Sequence, residues 1–123
     1  MHMTMLEYPM SPTDLFAALS HSTRLRLALL MAELGTLCVC ELQHAVGEDQ
    51  PRVSRHLANL RQAGVIEGTR RAQWVDYRLA PDLPGWARRV IDQALAGMQD
   101  DPAFKEDRRR LAGMAAAAEP VCR

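Results

Sequence analysis

The sequence predicts a mainly α-helical fold with one small β-hairpin, an α+β chain built as a single compact domain. Aromatic residues make up only 5% of the 123 residues, which favours a helical core over a β-sandwich. Several segments repeat apolar residues at helical spacing, and one short segment is rich in β-branched and aromatic residues. We divide the chain into an N-terminal arm (1–10), a main domain (11–98) and a C-terminal helix with a flexible tail (99–123).

Capping residues and apolar spacing indicate the helices. A serine or aspartate followed by proline is typical of a helix start, and a glycine is typical of a helix end. The predicted helices are, in order, one that starts at Ser11–Pro12, about Ser22–Leu34, about Cys38–Val46, about Gln50–Ala63, about Trp86–Met98 and one that starts at Asp101–Pro102.

Between the fourth and fifth helices the pattern changes to short, partly alternating segments. Val65–Gly68 and Trp74–Leu79 predict two strands of a hairpin, with Thr69–Gln73 as its basic tip. This order of elements is that of a winged helix-turn-helix, in which the third and fourth helices form the helix-turn-helix pair. The fourth helix would enter the major groove of double-stranded DNA, and the hairpin would lie over the adjacent backbone or minor groove.

The charge distribution also favours a DNA partner. The net charge is zero, but residues 50–79 contain six arginines and two acidic residues, a net +4, so the remainder carries −4. A neutral protein with one basic block can present a cationic face to phosphate.

The fourth helix has one narrow apolar stripe, formed by Val53, Leu57 and Leu60, and its polar residues face outward. An ordinary solvated helix face usually includes acidic residues, and this helix has none after Pro51. Arginine pairs with guanine, asparagine and glutamine with adenine, and serine with base or phosphate. His56, on the inner side, is expected to be structural. The candidate DNA contacts are Gln50, Arg52, Ser54, Arg55 and Asn59 in the helix and Arg70 and Arg71 in the hairpin.

Cysteine usage and hydropathy predict the compartment. Three cysteines, two of them one residue apart, do not make a disulfide framework and fit a reducing cytosol. No apolar run approaches the ~20 residues of a membrane span, and the N-terminus has no secretory signal. We therefore expect a cytoplasmic protein without a membrane partner.

Three stretches follow one another in a specific order: ALSHSTRLRL at 18–27, LCVCEL at 37–42 and QPRVSRHLANLRQAG at 50–64. With the hairpin that ends in WVDYRL at 74–79, they resemble the arsenic-responsive metalloregulator (ArsR/SmtB) family of bacterial repressors over roughly residues 12–98. The resemblance implies a homodimer, paired through its first and fifth helices, that blocks transcription until a metal or metalloid binds.

The Cys38-Val39-Cys40 pair resembles the arsenite and antimonite site of that family, and the chain departs from the family pattern at two positions. Gln43 stands where a third cysteine is usual, and Ala72 stands where the hairpin tip often has glycine. The family's zinc site on the fifth helix has no counterpart, because that segment contains Asp92 but no histidine.

The spacing of Cys38 and Cys40 suggests a mechanism of release. Residues two apart in a helix point ~200° apart, so both cannot face one core and at least one thiol should be accessible. Cys38, at the helix N-terminus where the dipole favours thiolate, is expected to be the first ligand. Binding of one ion by both sulfurs would then open the first turn and displace the neighbouring fourth helix. The alternative is that both are buried small apolar residues.

Thiolates select soft ions, and the resemblance implies arsenite or antimonite as the inducer, with no permanent cofactor. These ions favour three sulfurs, whereas mercuric ion accepts two. Cys122 is a candidate third ligand; a small cellular thiol is the alternative, and Cys122 would then be idle. Zinc would need four ligands, with His44 the one nearby candidate. A redox or sulfide sensor on the same scaffold is the other alternative, whereas an enzyme is disfavoured because no Cys-x-x-Cys motif or phosphate-cradling loop is present.

Overall fold

The structure, a computed structural model, describes residues 10–115. In that part of the chain it contains six helices and one three-stranded antiparallel sheet. The elements are α1 (Pro12–Leu19), α2 (Ser22–Leu34), β1 (Leu37–Cys38), α3 (Val39–Val46), α4 (Gln50–Gln62), β2 (Ile66–Arg71), β3 (Trp74–Leu79), α5 (Gly85–Gly97) and α6 (Pro102–Ala115). The predicted mainly α fold with a hairpin is confirmed, while residues 1–9 of the expected arm, and Cys122 with the tail around it, lie outside the described residues.

Helices α1 and α4 begin where local side chains satisfy their first N–H groups. Ser11 and Asp14 form a capping box, in which each side chain accepts a hydrogen bond from the other residue's N–H, at 3.1 and 3.2 Å. The Asp49 carboxylate accepts from the N–H of Arg52 at 2.9 Å and caps α4. Such caps involve residues that are close in sequence, so most helix starts could be predicted correctly from the sequence.

Helix α2 is the central element of the core. Leu27, Ala28, Leu29 and Leu30 are all fully buried, so the helix is covered on several sides. It packs against α1, α3, α4, α5 and β3. Helix α4 therefore packs against a helix that is itself buried.

The hairpin is longer and its turn tighter than predicted. Strands β2 and β3 pair in register up to Arg71 opposite Trp74, which leaves a two-residue turn of Ala72 and Gln73. Thr69, Arg70 and Arg71 thus lie in β2 and not in a loop. Ala72 adopts a left-handed φ of 54°, which a non-glycine residue adopts at a cost of about 1–2 kcal/mol.

Strand β1 was not predicted, and it changes the position of Cys38. Leu37 and Cys38 pair with Tyr77 and Asp76 of β3. Cys38 is extended, with φ −82° and ψ 164°, and it is the N-cap of α3. The third helix therefore begins at Val39, one residue later than predicted, and Cys38 belongs to the sheet.

Helix α6 begins at the predicted Asp101–Pro102 signal, where the Asp101 carboxylate accepts from the N–H of Phe104 at 3.1 Å. It packs along α3, with its inward face formed by Phe104, Asp107, Leu111 and Met114. Within residues 10–115, no helix is long and apolar enough to cross a membrane.

Candidate nucleic-acid interface and thiol pair

Helix α4 presents a polar face to solvent. Its apolar stripe, Val53, Leu57 and Leu60, is fully buried, as predicted. Apart from Pro51, the exposed side chains of α4 are polar or basic, and α4 contains no acidic residue. The exposed predicted contacts are Gln50, Arg52, Ser54, Arg55 and Asn59. Such a face offers donors and acceptors of the kind that base edges bind.

A hydrogen bond from α2 holds the turn that leads into α4. The Thr23 hydroxyl, on a residue only 3% exposed, donates a hydrogen bond to the Glu48 carboxylate. Gly47 ends α3 in a left-handed conformation, with φ 70°, and Asp49 begins α4 two residues later. This short connection holds α3 and α4 in the arrangement of a helix-turn-helix pair.

A histidine pair lies where α2 begins beside α4. The rings of His21 and His56 lie 4.3 Å apart between centroids. The His21 ring also caps α2, because its Nδ1 accepts from the N–H of Thr23 at 3.1 Å. Burial lowers the pKa of His56, and the nearby charges of His21 and Arg24 lower it further. His56 is half-buried against a neighbouring ring, which fits the structural role expected of it, while the cap formed by His21 was missed.

Two ion pairs neutralise part of the positive charge of the wing, which is defined as β2 with β3. The Nε of Arg71 lies 2.7 Å from a carboxylate oxygen of Asp76, and its guanidinium stacks 4.9 Å from the centre of the Trp74 ring. On the same face, Arg78 pairs with Glu67 at 2.6 Å. Arg70 lies on the other face, opposite Val75, and is exposed. Of the two predicted wing contacts, Arg71 is therefore bound within the wing.

The two cysteines differ in exposure. Cys38 is only 4% exposed, whereas Cys40 is a free thiol of intermediate exposure on the first turn of α3. The expectation that one thiol is accessible is met by Cys40. Cys38, which was expected to be the first ligand, is the more buried of the two. The ~200° separation does not apply, because it assumes that both residues are helical.

The first turn of α3 is held by its own sequence. The Glu41 carboxylate accepts a hydrogen bond from the Cys38 N–H at 2.8 Å. Among the described residues, no group of three or more histidine, cysteine or acidic side chains is arranged to hold a metal ion. Residues 10–115 thus contain two cysteines, Cys38 and Cys40, which are two positions apart in the sequence.

Comparison with known proteins decides the family. Residues 21–67 match the model of the arsR family of bacterial regulatory proteins. An arsenical resistance operon repressor of Escherichia coli (strain K12) is 48% identical over 83 residues, 68% of this chain and 71% of that protein. The chain belongs to the arsR family. It is a DNA-binding transcriptional repressor with a winged helix-turn-helix fold and not an enzyme, as the sequence predicted.

Two further proteins are similar to this arsR-family repressor. The arsenic resistance transcriptional regulator ArsR1 of Pseudomonas putida (strain KT2440) is 45% identical over 107 residues, 85% of this chain and 80% of that protein. Among solved structures, the AntR antimony-specific transcriptional repressor superimposes with a TM-score of 0.60 at 30% identity, covering 70% of this chain and 75% of that one.

Proposed function

We propose that this repressor leaves its operator when arsenite or antimonite binds the thiolates of Cys38 and Cys40. The observation that carries the proposal is two cysteines at the β1–α3 junction, one of them free and partly exposed. Thiolates prefer soft ions of this kind. Relatives named for arsenic resistance and a structural neighbour specific for antimony support the same inducers. No permanent cofactor is needed.

For DNA recognition, we propose that α4 reads bases in the major groove and the wing contacts the phosphate backbone. The exposed polar face of α4 supports the first assignment, and Arg70 on the wing supports the second. The proposed contacts are Gln50, Arg52, Ser54, Arg55, Asn59, Arg70 and Arg71.

A second copy of the chain is proposed as partner, paired through α1 and α5. Phe16 of α1 is 56% exposed, and the α5 residues Trp86, Val90 and Ala94 are only half-buried. A symmetric dimer places two copies of α4 on an inverted repeat, with half-sites about one helical turn apart or a multiple of it. Such a dimer would act in the cytoplasm, where its DNA is.

The proposed mechanism uses the difference between the two cysteines. Cys38 lies in β1, which pairs with β3 of the wing, whereas Cys40 lies in α3, which leads to α4. An ion bound by both sulfurs would tie the sheet to α3 and bend the junction between them. The hydrogen bond from the Cys38 N–H to Glu41 is the contact that such bending would break first. Coupling of about 1–3 kcal/mol between two sites changes affinity about 5–150-fold.

Cys122 remains the proposed third ligand, with a small cellular thiol as the alternative. Helix α6 packs along α3, and its described part ends at Ala115. Cys122 lies seven positions after Ala115, and an extended segment of that length spans at most about 25 Å. In this proposal the tail supplies the third sulfur, which the Cys122→Ser variant tests.

The test is inducer-dependent release of DNA by the chemically reduced protein. Fluorescence anisotropy follows an operator selected from a random library while arsenite is added to the wild type and to Cys38→Ser, Cys40→Ser and Cys122→Ser variants. Wild type should lose affinity about 5–150-fold, and Cys38→Ser and Cys40→Ser should bind DNA normally and ignore arsenite. Cys122→Ser should respond only at higher concentration if it supplies the third sulfur.

Parallel titrations with mercuric ion, zinc and peroxide separate the other inducers. Release by peroxide or mercuric ion, with none by arsenite, would replace the proposed inducer while leaving the repressor assignment intact. If Cys40→Ser released DNA at the wild-type arsenite concentration, the proposed site would be wrong.

A further inference from the structure

The C-terminal end of α3, opposite the cysteines, is held by two arginines from other helices. Arg110 of α6 donates a hydrogen bond from Nη1 to the carbonyl oxygen of Ala45, at 2.9 Å. Arg26 of α2 donates from Nη2 to the carbonyl oxygen of Val46, at 3.4 Å. The last carbonyls of a helix have no partner within it, and a cation there also interacts favourably with the helix dipole.

One buried carboxylate positions these arginines. Asp107 of α6 is fully buried, and its two oxygens accept from Nε and Nη2 of Arg26 at 2.7 and 2.8 Å. This two-point geometry fixes a guanidinium in orientation as well as in place. Nη1 of Arg110 lies 3.9 Å from the same carboxylate. Asp107 thereby connects α6, α2 and the end of α3.

This end of α3 leads directly into the DNA-reading helix. A Cβ on Gly47 would lie 2.9 Å from Nη1 of Arg110, so the arginine rests against the turn itself. The next residue, Glu48, is bound by Thr23 of α2, and Asp49 caps α4. Helix α6 thus contacts the turn between α3 and α4 at Gly47, and helix α2 contacts it at Glu48.

We propose that Asp107 and Arg110 are positioning residues for operator recognition, through which α6 sets the orientation of α4. The inference rests on the proposed role of α4 as the reading helix. Neither residue needs to touch DNA, because both act on the turn that orients α4. It follows that α6, although outside the helix-turn-helix pair, determines affinity for the specific operator and leaves affinity for random DNA unchanged.

Neighbouring arginines of α6 provide a matched test. Arg110→Ala and Arg109→Ala each remove one positive charge from α6, but Arg109 is 73% exposed and pairs with Glu106 at the surface. Affinity for the selected operator and for random DNA is measured at several salt concentrations, after circular dichroism has shown that each variant is folded. Arg110→Ala should lose at least about fivefold in operator affinity, the lower end of typical coupling between sites. Its random-DNA affinity and salt dependence should match those of Arg109→Ala.

Two more variants show whether the contact itself matters. Arg110→Lys keeps a charged donor and should recover part of the lost operator affinity. Asp107→Asn keeps the shape but weakens the hold on Arg26, so it should repeat the pattern of Arg110→Ala. These two variants also replace Arg110→Ala if that variant does not fold.

Three results would contradict the proposed role of Asp107 and Arg110. Equal operator affinity for Arg110→Ala and Arg109→Ala would overturn it, and so would a parallel loss on operator and random DNA, which would indicate a direct phosphate contact. A wild-type chain that bound the inverted repeat no better than random DNA would instead remove the proposed function of α4, and this inference with it.

Discussion

The arginines of α4, the proposed reading helix, differ from those of the wing in whether they form ion pairs. In the described chain, Arg52 and Arg55 of α4 are exposed and make no ion pair, and α4 has no acidic residue. In the wing, Arg71 is paired with Asp76, and Arg78 is paired with Glu67. The cations of α4 are free to bind bases, whereas two of the wing cations stabilise the wing. This difference predicts that sequence specificity resides in α4 and that the wing mainly contributes placement.

The same two regions are connected to different cysteines. Cys40 is on α3 and therefore on the path to α4, while Cys38 pairs through its backbone with Asp76 of the wing. Asp76 is also the residue that binds Arg71. A single ion on both sulfurs is therefore placed to change the reading helix relative to the wing, which is the central claim of our mechanism.

The largest effect on DNA is expected from Arg55→Ala. Loss of a bidentate base contact costs about 1–3 kcal/mol of discrimination. Operator affinity should fall while affinity for random DNA changes little. Arg61→Ala, in the last turn of α4, is the matched control, because the N-terminal half of a recognition helix reads the bases. Equal losses of operator affinity for the two variants would contradict a specific base contact by Arg55.

A smaller effect should separate the two wing arginines. Arg70→Ala should lower the salt slope of binding by about 1, as expected for one phosphate contact. Arg71→Ala should change that slope less, because its charge is already paired with Asp76. It should also lower the free energy of unfolding, by at most about 1 kcal/mol for an exposed pair. A larger slope change for Arg71→Ala would mean that its ion pair opens on DNA.

The smallest effect concerns pH and the support of α4. The pKa of His56 lies below its ordinary value of 6.5, so the folded state disfavours the protonated ring. The stability that neutral His56 contributes is present above about pH 6.5 and is lost as pH falls through the folded pKa. Chemical denaturation between pH 7.5 and 5 should therefore show a smaller acid loss for His56→Gln than for wild type. Identical curves for His56→Gln and wild type would rule out this contribution.

Local signals in the sequence predicted most of the fold and the exposed face of α4. The bounds of α2 and the start of α6 match the prediction, because caps and apolar spacing involve residues within about one turn. For the same reason, the buried stripe of Val53, Leu57 and Leu60 was predictable.

Features formed between distant residues were not predictable in this way. Strand β1 has two residues, too few for an alternation pattern, and its partner β3 lies far along the chain. The pair of Arg26 and Asp107 joins residues 81 positions apart. The hairpin turn depends on Ala72 adopting a left-handed conformation that its residue type does not favour. Cys38 was placed in the helix because β1 is too short to leave a recognisable pattern in the sequence.

The central claim is tested most directly by residue-resolved amide hydrogen exchange of the reduced protein, with and without saturating arsenite. We predict faster exchange at the Cys38 N–H as its bond to Glu41 breaks, together with altered exchange at the start of α4 and along β3. Exchange in α5 should not change, and Cys40→Ser should show none of these effects. If arsenite released the operator while the start of α4 and β3 kept their exchange rates, the ion would not act through the junction of β1 and α3.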